Sequence, residues 1–257
     1  MDEKSGISQS EILSEKEIRR YARQIEITGL GIYEQEKIKK SKILVIGAGG
    51  KGSSVLQNLT SVGTGTLGIC DNYHVTEEQL IRQHLFGDGD LGKQRAIISR
   101  EKLQKINQSV VFHLHNVFLT EKNIDQIVSA YDIFIDATDN FNAHCLINYA
   151  AIRLNKPLVY GNVDGVKGYV SVFNYKGGPS FMCCFPKPPA ESKEIKNDSF
   201  VCQLTLYDMV GTIMANEAVK IITGTNTTLS GNLLGIDVEN YQFSLKAIEK
   251  NPENFIQ

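Results

Sequence analysis

The chain has 257 residues, a hydrophobic content of 42 % and a formal net charge of −2. This composition predicts a sizeable core in one large domain and argues against binding of nucleic acid or a membrane through a basic surface. Because no apolar run approaches the roughly 20 residues of a spanning helix, the first ten residues are polar, and the five cysteines form no paired framework, we expect a cytoplasmic protein.

The first predicted element is a helix that starts near Ser14, because Ser14 and Glu17 have the spacing of a capping box. This helix carries the arginine-rich segment 19–24 into a glycine-bounded turn, and a second short helix is predicted over 34–40. By composition alone, an arginine cluster of this kind is typical of a solvated face.

A glycine-rich segment over 47–52 (GAGGKG) separates a predicted strand over 42–46 from a predicted helix over 53–61. A second strand over 66–70 ends on Asp71. This order is typical of a nucleotide-binding βαβ unit, in which glycines allow close backbone approach, the helix N-terminus favours an anion and the acid can hold ribose hydroxyls. The alternative is a glycine turn that only packs a helix onto a strand.

Predicted strands and helices alternate through the middle of the chain, which predicts a mostly parallel, doubly wound α/β sheet. A strand over 132–136 ends just before Asp139, and open sheets of this class bind ligands at the carboxyl ends of their strands. Asp139 is therefore a candidate functional acid. The remaining elements are a loop with short helix over 74–92, helices over 96–104, 121–129 and 143–154, and strands over 110–114 and 157–161.

The last third of the chain predicts an antiparallel extension rather than further alternation. With neither a repeat nor a linker, we expect one domain over 1–257, with a nucleotide-binding half at about 41–162 and an extension at about 163–250. The predicted elements of the extension are strands over 166–175, 233–237 and 241–246, a loop over 181–200 and a helix over 206–222.

Several motifs together resemble the ThiF, MoeB and HesA family of adenylyltransferases, relatives of ubiquitin-activating enzymes that activate ubiquitin-like sulfur carriers. The resemblance covers about residues 18–252 and implies a Rossmann-like fold. The opening motif and the Thr-Asp-Asn turn argue against a nicotinamide dehydrogenase, which the glycine segment alone would permit. In chain order the motifs are RYARQI over 20–25, GAGGKG over 47–52, Asp71, Arg82-Gln83, Thr138-Asp139-Asn140, and EAVK over 217–220 before Thr223-Gly224.

The resemblance implies that a carrier's C-terminal glycine carboxylate attacks the α-phosphorus of ATP, giving an acyl-adenylate and pyrophosphate. It implies ATP and Mg²⁺ as cofactors. It also implies a partner protein, a carrier ending in Gly-Gly that the extension would bind, and a homodimeric enzyme. In that dimer Arg23 would reach the triphosphate of the neighbouring subunit, while Asp71 would bind ribose, Arg82 the phosphates, and Asp139 Mg²⁺. The catalytic residues implied are Arg23, Arg82, Arg95 and Asp139, and the nucleotide-binding residues are Gly47, Gly49, Gly50, Gly52, Asp71, Gln79, Arg82, Lys93, Arg95, Asp139 and Asn140.

Four positions depart from the pattern of the family. Arg95 stands where a lysine is usual, and Lys93 is close enough in sequence to substitute for it. Tyr73 replaces an acid, Gln79 an asparagine and His144 an arginine. Phosphate binding remains the expectation, but the effect of these substitutions on turnover is left open.

The family often binds zinc through two C-x-x-C pairs, a spacing that suits tetrahedral thiolate ligation. Here the corresponding positions are Ser180 and Cys183, then Asn254 and Gln257. Adjacent Cys183 and Cys184 cannot supply the missing ligands. We therefore predict no structural zinc, with the last strands held by packing alone.

The other cysteines and the histidines are weaker candidates. Some relatives carry a cysteine near the loop of Cys202 that accepts the carrier or forms a persulfide, but the spacing here matches poorly, so its role stays open. Cys70 and Cys145 lie in apolar elements and are predicted core residues, whereas His113 and His115 are predicted at the surface.

Two further functions remain open beside carrier adenylation. One is adenylation of a peptide or small-molecule carboxylate in a biosynthetic pathway. The other is a non-catalytic nucleotide-binding partner subunit, which would bind ATP without releasing pyrophosphate.

Overall fold

The structure is a computed structural model that describes residues 12–27, 30–187, 200–225 and 227–255. In this part of the chain, eight strands form one sheet in the order β3-β2-β1-β4-β5-β6-β7-β8. The first five strands pair in parallel, and β6, β7 and β8 add antiparallel pairs, which confirms the predicted fold class. The strands are β1 (Lys42–Ile46), β2 (Thr66–Cys70), β3 (Val111–His115), β4 (Ile133–Asp136), β5 (Leu158–Asp164), β6 (Lys167–Phe173), β7 (Asn232–Asp237) and β8 (Gln242–Ala247).

Helices cover both faces of the sheet, because alternate residues of its buried strands point to opposite sides. Ile43 and Val45 of β1 pack in one cluster with α3, α5 and α9, whereas Leu44 and Ile46 pack in a second cluster with α6 and α7. The helices are α1 (Glu15–Ile25), α2 (Ile32–Lys40), α3 (Gly50–Val62), α4 (Glu77–Leu80), α5 (Arg95–Ile106), α6 (Ile124–Val128), α7 (Phe141–Arg153), α8 (Phe181–Cys184) and α9 (Phe200–Thr223).

The observed start of a helix agrees with the predicted start at α1, where a capping residue marks it, and differs at α3 and α9. Ser14 caps α1 and forms the predicted capping box with Glu17. By contrast α3 begins at Gly50 rather than at residue 53, because the glycines themselves form its first turn. The predicted loop over 181–200 contains α8, and α9 starts at Phe200 rather than at 206. None of the helices in the described ranges is long and apolar enough to cross a bilayer.

The prediction of a surface position is correct for His113 and wrong for His115. His113 is exposed, whereas His115 is half-buried and its Nε2 lies 2.6 Å from the Tyr131 hydroxyl. A Cβ at Gly68 would overlap the Tyr131 ring, so the glycine on β2 leaves the space in which this ring reaches the histidine. Burial, and to a lesser extent the charge of His113, lower the pKa of His115.

Hydrogen bonds to Cys183 connect the segment after β8 to the start of α8. The Sγ of Cys183 accepts from the Asn251 backbone N–H at 3.4 Å and from Asn254 Nδ2 at 3.5 Å, and it lies 3.4 Å from Ser180 Oγ. Three positions of the family's zinc ligands therefore meet in space through hydrogen bonds, while the fourth, Gln257, lies outside the described residues.

Candidate functional site

A cavity of about 540 Å³ opens at the carboxyl ends of the parallel strands, beside the crossover between β1 and β4 where doubly wound sheets bind ligands. Its lining combines apolar side chains, such as Ile46 and Leu146, with two arginines and two carboxylates. The sequence-predicted site residues that line it are Gly47, Gly49, Gly50, Asp71, Gln79, Arg82, Arg95, Asp139 and Asn140.

The glycine turn brings backbone close to this cavity. Gly47 has φ +93°, and a Cβ there would lie 2.9 Å from the Ala137 carbonyl oxygen. A Cβ at Gly52 would overlap the carbonyl oxygen of Gly47, so both positions require glycine for close approach. Gly49 is the N-cap of α3 and provides no side-chain cap, which leaves the N-terminal N–H groups of a 13-residue helix available to an anion.

Asp71 is buried at the end of β2 and is held by backbone donors. Its Oδ2 accepts from the Ala48 N–H at 2.7 Å, and its Oδ1 accepts from the Tyr73 N–H at 2.7 Å. Burial raises the pKa of Asp71, and this effect outweighs the two N–H donors and the charge of Arg95, which lower it. The carboxylate is thus fixed at the cavity wall, where it can accept hydrogen bonds from the hydroxyl groups of a sugar.

Two guanidinium groups provide the positive charge of the cavity. Arg82 donates from Nη1 to the Tyr207 hydroxyl at 2.9 Å and stacks 5.1 Å from the centre of that ring. Arg95 is buried, donates from Nε to the His74 carbonyl at 3.2 Å and from Nη2 to Gln79 Oε1. Burial lowers the pKa of Arg95, although Asp71 opposes this, and the residue keeps its charge as guanidinium groups do. Both guanidinium groups can donate charge-assisted hydrogen bonds to phosphate oxygens.

A buried pair, Asp136 and His144, fixes the loop that follows β4. Asp136 Oδ2 lies 2.7 Å from Nδ1 of His144, and Oδ1 accepts from the Thr138 N–H at 3.0 Å and from the Thr138 hydroxyl at 2.7 Å. Burial opposes ionisation of Asp136, but the pair with His144 and the Thr138 hydrogen bonds outweigh it, so the pKa of Asp136 is lowered. His144 therefore holds the loop that carries Asp139 and is absent from the cavity lining.

Lys51 contacts a residue of the cavity lining, although the sequence analysis did not identify it. Its side chain is 1 % exposed, and its Nζ donates to Asp139 Oδ1 at 2.6 Å and to the Thr138 carbonyl at 2.8 Å. The available signal was a lysine inside a glycine segment that opens a helix, where a cation is disfavoured by the helix dipole. Its partner, 88 positions away, could not be recognised from spacing.

Three predicted residues lie outside the cavity lining, and one candidate is only partly described. Gly52 packs on Gly47, while Lys93 and Arg23 are exposed, the latter on α1. Arg95, unlike Lys93, lines the cavity. Cys202 lies in helix α9 rather than in a loop, and its side chain is outside the described residues.

Comparisons with known proteins identify a matching family and similar sequences. The model of the ThiF family matches residues 21–254. The chain is similar to a sulfur carrier protein adenylyltransferase of Thermus thermophilus, with 35 % identity over 244 residues, 93 % of this chain and 90 % of that protein. It is also similar to an adenylyltransferase and sulfurtransferase, MOCS3, of Aedes aegypti, with 34 % identity over 94 % of this chain and 55 % of that protein. The chain thus spans about half of the latter relative.

Solved structures share the fold at low identity. The crystal structure of PaaA gives a TM-score of 0.80 with 22 % identity, covering 98 % of this chain and 79 % of that one. The crystal structure of Escherichia coli MccB with ATP gives a TM-score of 0.78 with 20 % identity, covering 91 % of this chain and 72 % of that one. At these identities the likeness is evidence for the fold alone.

Proposed function

Because the chain belongs to the ThiF family, we propose that it uses ATP to adenylate the C-terminal carboxylate of a small ubiquitin-like sulfur carrier protein ending in Gly-Gly. The chain is an adenylyltransferase of the ThiF type, and the identity of the carboxylate is the part that we propose. The products are an acyl-adenylate and pyrophosphate.

The observation that carries the proposal is the composition of one cavity. Asp71, Arg82, Arg95 and Asp139 meet there beside the uncapped N-terminus of α3. A fixed carboxylate for ribose, two cations for phosphates and backbone N–H groups at a helix start are the groups that a nucleoside triphosphate requires.

In this proposal the protein contributes position and charge. Arg82 and Arg95 neutralise phosphate oxygens, so that an anionic carboxylate can approach the α-phosphorus. Asp71 orients the ribose. Because Tyr207 and Gln79 hold the guanidinium groups before substrate arrives, little reorganisation is needed during the reaction.

Asp139 is the residue that would hold Mg²⁺ together with the phosphates. Its Oδ1 is bound to Lys51, and its Oδ2 has no hydrogen-bond partner among the residues that the structure describes. One carboxylate oxygen combined with substrate phosphates is a donor set that Mg²⁺ accepts. A cage of three or more His, Cys, Asp or Glu side chains is not found in the described part of the chain, which is consistent with such a shared site. When bound, the ion would neutralise phosphate charge.

We further propose that the extension over about 163–250 binds the carrier. Strand β8 lies at the edge of the sheet and is exposed along its length, and Tyr241, Phe243 and Leu245 present large apolar surfaces there. An unpaired strand edge with exposed apolar side chains supports docking of a folded partner.

A homodimer is part of the same proposal. Arg23 is exposed on α1 and lies outside the cavity lining of its own chain. A role for Arg23 in catalysis therefore requires a second subunit that brings it to the neighbouring cavity.

Adenylation of a peptide carboxylate is the second candidate, and a specific feature favours it. Asn254 and Ser180 replace two of the zinc-ligand cysteines, a change that suits a specialised member of the family. Among the structural neighbours, MccB has been solved in complex with N-formylated MccA.

The proposal is tested by pyrophosphate exchange with Asp139→Asn, which keeps an oxygen acceptor for the buried Lys51. We expect the rate of exchange to fall by about a hundredfold or more, because the substitution removes the carboxylate that would hold Mg²⁺ beside the phosphates. Asp125→Asn is a matched control, since Asp125 is also an exposed, ion-paired aspartate but pairs with Arg153 away from the cavity. Full exchange activity in Asp139→Asn would contradict the proposed site.

A further inference from the structure

A fully buried lysine lies behind the cavity wall and contacts Asp139, a residue of the cavity lining. Lys51 is the second residue of α3, and its ammonium group has three acceptors: Asp139 Oδ1 at 2.6 Å, the Thr138 carbonyl at 2.8 Å and Asn162 Oδ1 at 3.5 Å. The three N–H donors of the ammonium group are therefore all used within the protein. Lys51 has no donor left for a substrate.

The position of Lys51 is unfavourable for a structural lysine. A cation in the first turn of a helix opposes the helix dipole, and removing an ammonium group from water is costly even when it is paired. An apolar side chain of similar length would fill the same space without these costs. The charge of Lys51, rather than its volume, is therefore the property that needs an explanation.

The two carboxylate oxygens of Asp139, the partner of Lys51, have different environments. The Asp139 side chain is 62 % exposed at the cavity, with Oδ1 bound to Lys51 and Oδ2 unpartnered within the described part of the chain. A free aspartate side chain would rotate, whereas this carboxylate is held at one oxygen and open at the other.

We propose that Lys51 is a positioning residue for Asp139: it holds one carboxylate oxygen, presents the other to the divalent cation, and weakens the binding of that cation. This inference rests on the proposed function, since it takes the cavity to be the site of ATP and its Mg²⁺. The ammonium charge lies next to the ligand oxygen and repels the incoming cation, so the carboxylate is oriented at the expense of metal affinity.

The test measures the affinity of Mn²⁺ for the complex of the full chain with ATP, using Mn²⁺ electron paramagnetic resonance with protein in excess over ATP. We expect Lys51→Met to bind Mn²⁺ about tenfold more tightly, because a repelling charge is removed. We also expect the kcat of pyrophosphate exchange to fall at nearly unchanged KM for ATP, because Asp139 is no longer oriented. A purely structural role would not tighten metal binding.

Two further variants separate charge from packing. Lys51→Gln removes the charge and keeps a polar side chain with N–H donors, so it should tighten Mn²⁺ binding as Lys51→Met does. Lys102→Met is the matched control, since Lys102 also forms an ion pair, with Asp90, but neither residue lines the cavity. In an Asp139→Asn background, Lys51→Met should not lower the kcat of exchange further, because the carboxylate that Lys51 orients is absent.

Each other outcome would overturn the inference. Unchanged or weaker Mn²⁺ binding in folded Lys51→Met and Lys51→Gln would show that the charge does not act on the metal. Failure of both variants to fold, measured by thermal unfolding, would assign Lys51 a structural role alone. A wild-type chain that binds no ATP would overturn the proposed function as well, which distinguishes the two failures.

Discussion

Three aspartates of the site have three different kinds of partner, and these partners determine their behaviour. Asp71 is held by backbone N–H groups, Asp136 by a histidine and Asp139 by a lysine. Burial dominates at Asp71 and raises its pKa, whereas the pair with His144 and the Thr138 hydrogen bonds dominate at Asp136 and lower it. The same residue type is thus a candidate ribose-binding residue, a loop anchor and a candidate metal ligand in one region of the structure.

Adjacent cysteines should differ in reactivity with pH. Burial opposes ionisation of Cys183, but hydrogen bonds from Ser180, Asn254 and Asn251 outweigh it and lower its pKa, whereas burial raises the pKa of Cys184 to about 11. Because only the thiolate is alkylated, modification of Cys183 should set in at lower pH than that of an ordinary cysteine, and Cys184 should react only in strong base.

This prediction is measured by iodoacetamide labelling across a pH series with peptide mass spectrometry. Cys70 is an internal control, because it is buried and its pKa is raised to about 12, so it should remain unlabelled in the folded protein. Labelling of Cys184 before Cys183 would contradict the hydrogen-bond assignment.

Residues of the site were predictable where the motif is local. Gly47 and Asp71 follow from a strand, a turn and a second strand within 30 positions. Lys51 and His144 could not be assigned, because their partners are a residue on a distant loop and a residue of a neighbouring strand, and spacing alone contains no information about those contacts.

At the scale of elements, the turn between β1 and α3 is closely packed. Gly52→Ala should lower the free energy of unfolding by about 2–4 kcal/mol, because its Cβ would overlap the Gly47 carbonyl and neither backbone can move freely. Nucleotide binding should weaken in the same variant, since the turn faces the cavity.

Gly89→Ala is the matched control for this prediction, because a Cβ there would have no atom within 4 Å. It should change stability by less than about 0.5 kcal/mol. Equal stability of the two alanine variants in urea denaturation would show that the turn is not closely packed.

Elements were predictable from periodicity, but their ends were less so. The alternation of strands and helices leads to the parallel sheet, and the capping box locates the start of α1. The start of α3 was missed, because glycines are typical of loops although they form the first turn of this helix. The prediction for α9 began six residues late, at 206 instead of Phe200.

At the scale of the whole molecule, the proposed catalytic role of the exposed Arg23 on α1 requires a second copy of the chain. Arg23→Ala should lower pyrophosphate exchange by about a hundredfold if its guanidinium group acts on the triphosphate of a neighbour. Mixing Arg23→Ala with Asp139→Asn subunits should restore about a quarter of wild-type activity, because half of the dimers are mixed and each has one intact site.

Arg19→Ala is the control for this experiment, since Arg19 is exposed on the same helix and pairs with Glu15. It should retain wild-type exchange. Absence of any recovery in the mixed dimers, with mixing verified by differently tagged subunits, would count against a role across the interface.

The most direct measurement of the central claim is pyrophosphate exchange by the wild-type chain with three substrates in turn. These are a ubiquitin-like carrier ending in Gly-Gly, the same carrier without its last glycine, and a short peptide. We predict exchange with the intact carrier and none with the other two. Exchange with the peptide but not with the carrier would contradict carrier adenylation and favour peptide adenylation, and ATP binding without exchange in every case would identify a non-catalytic subunit.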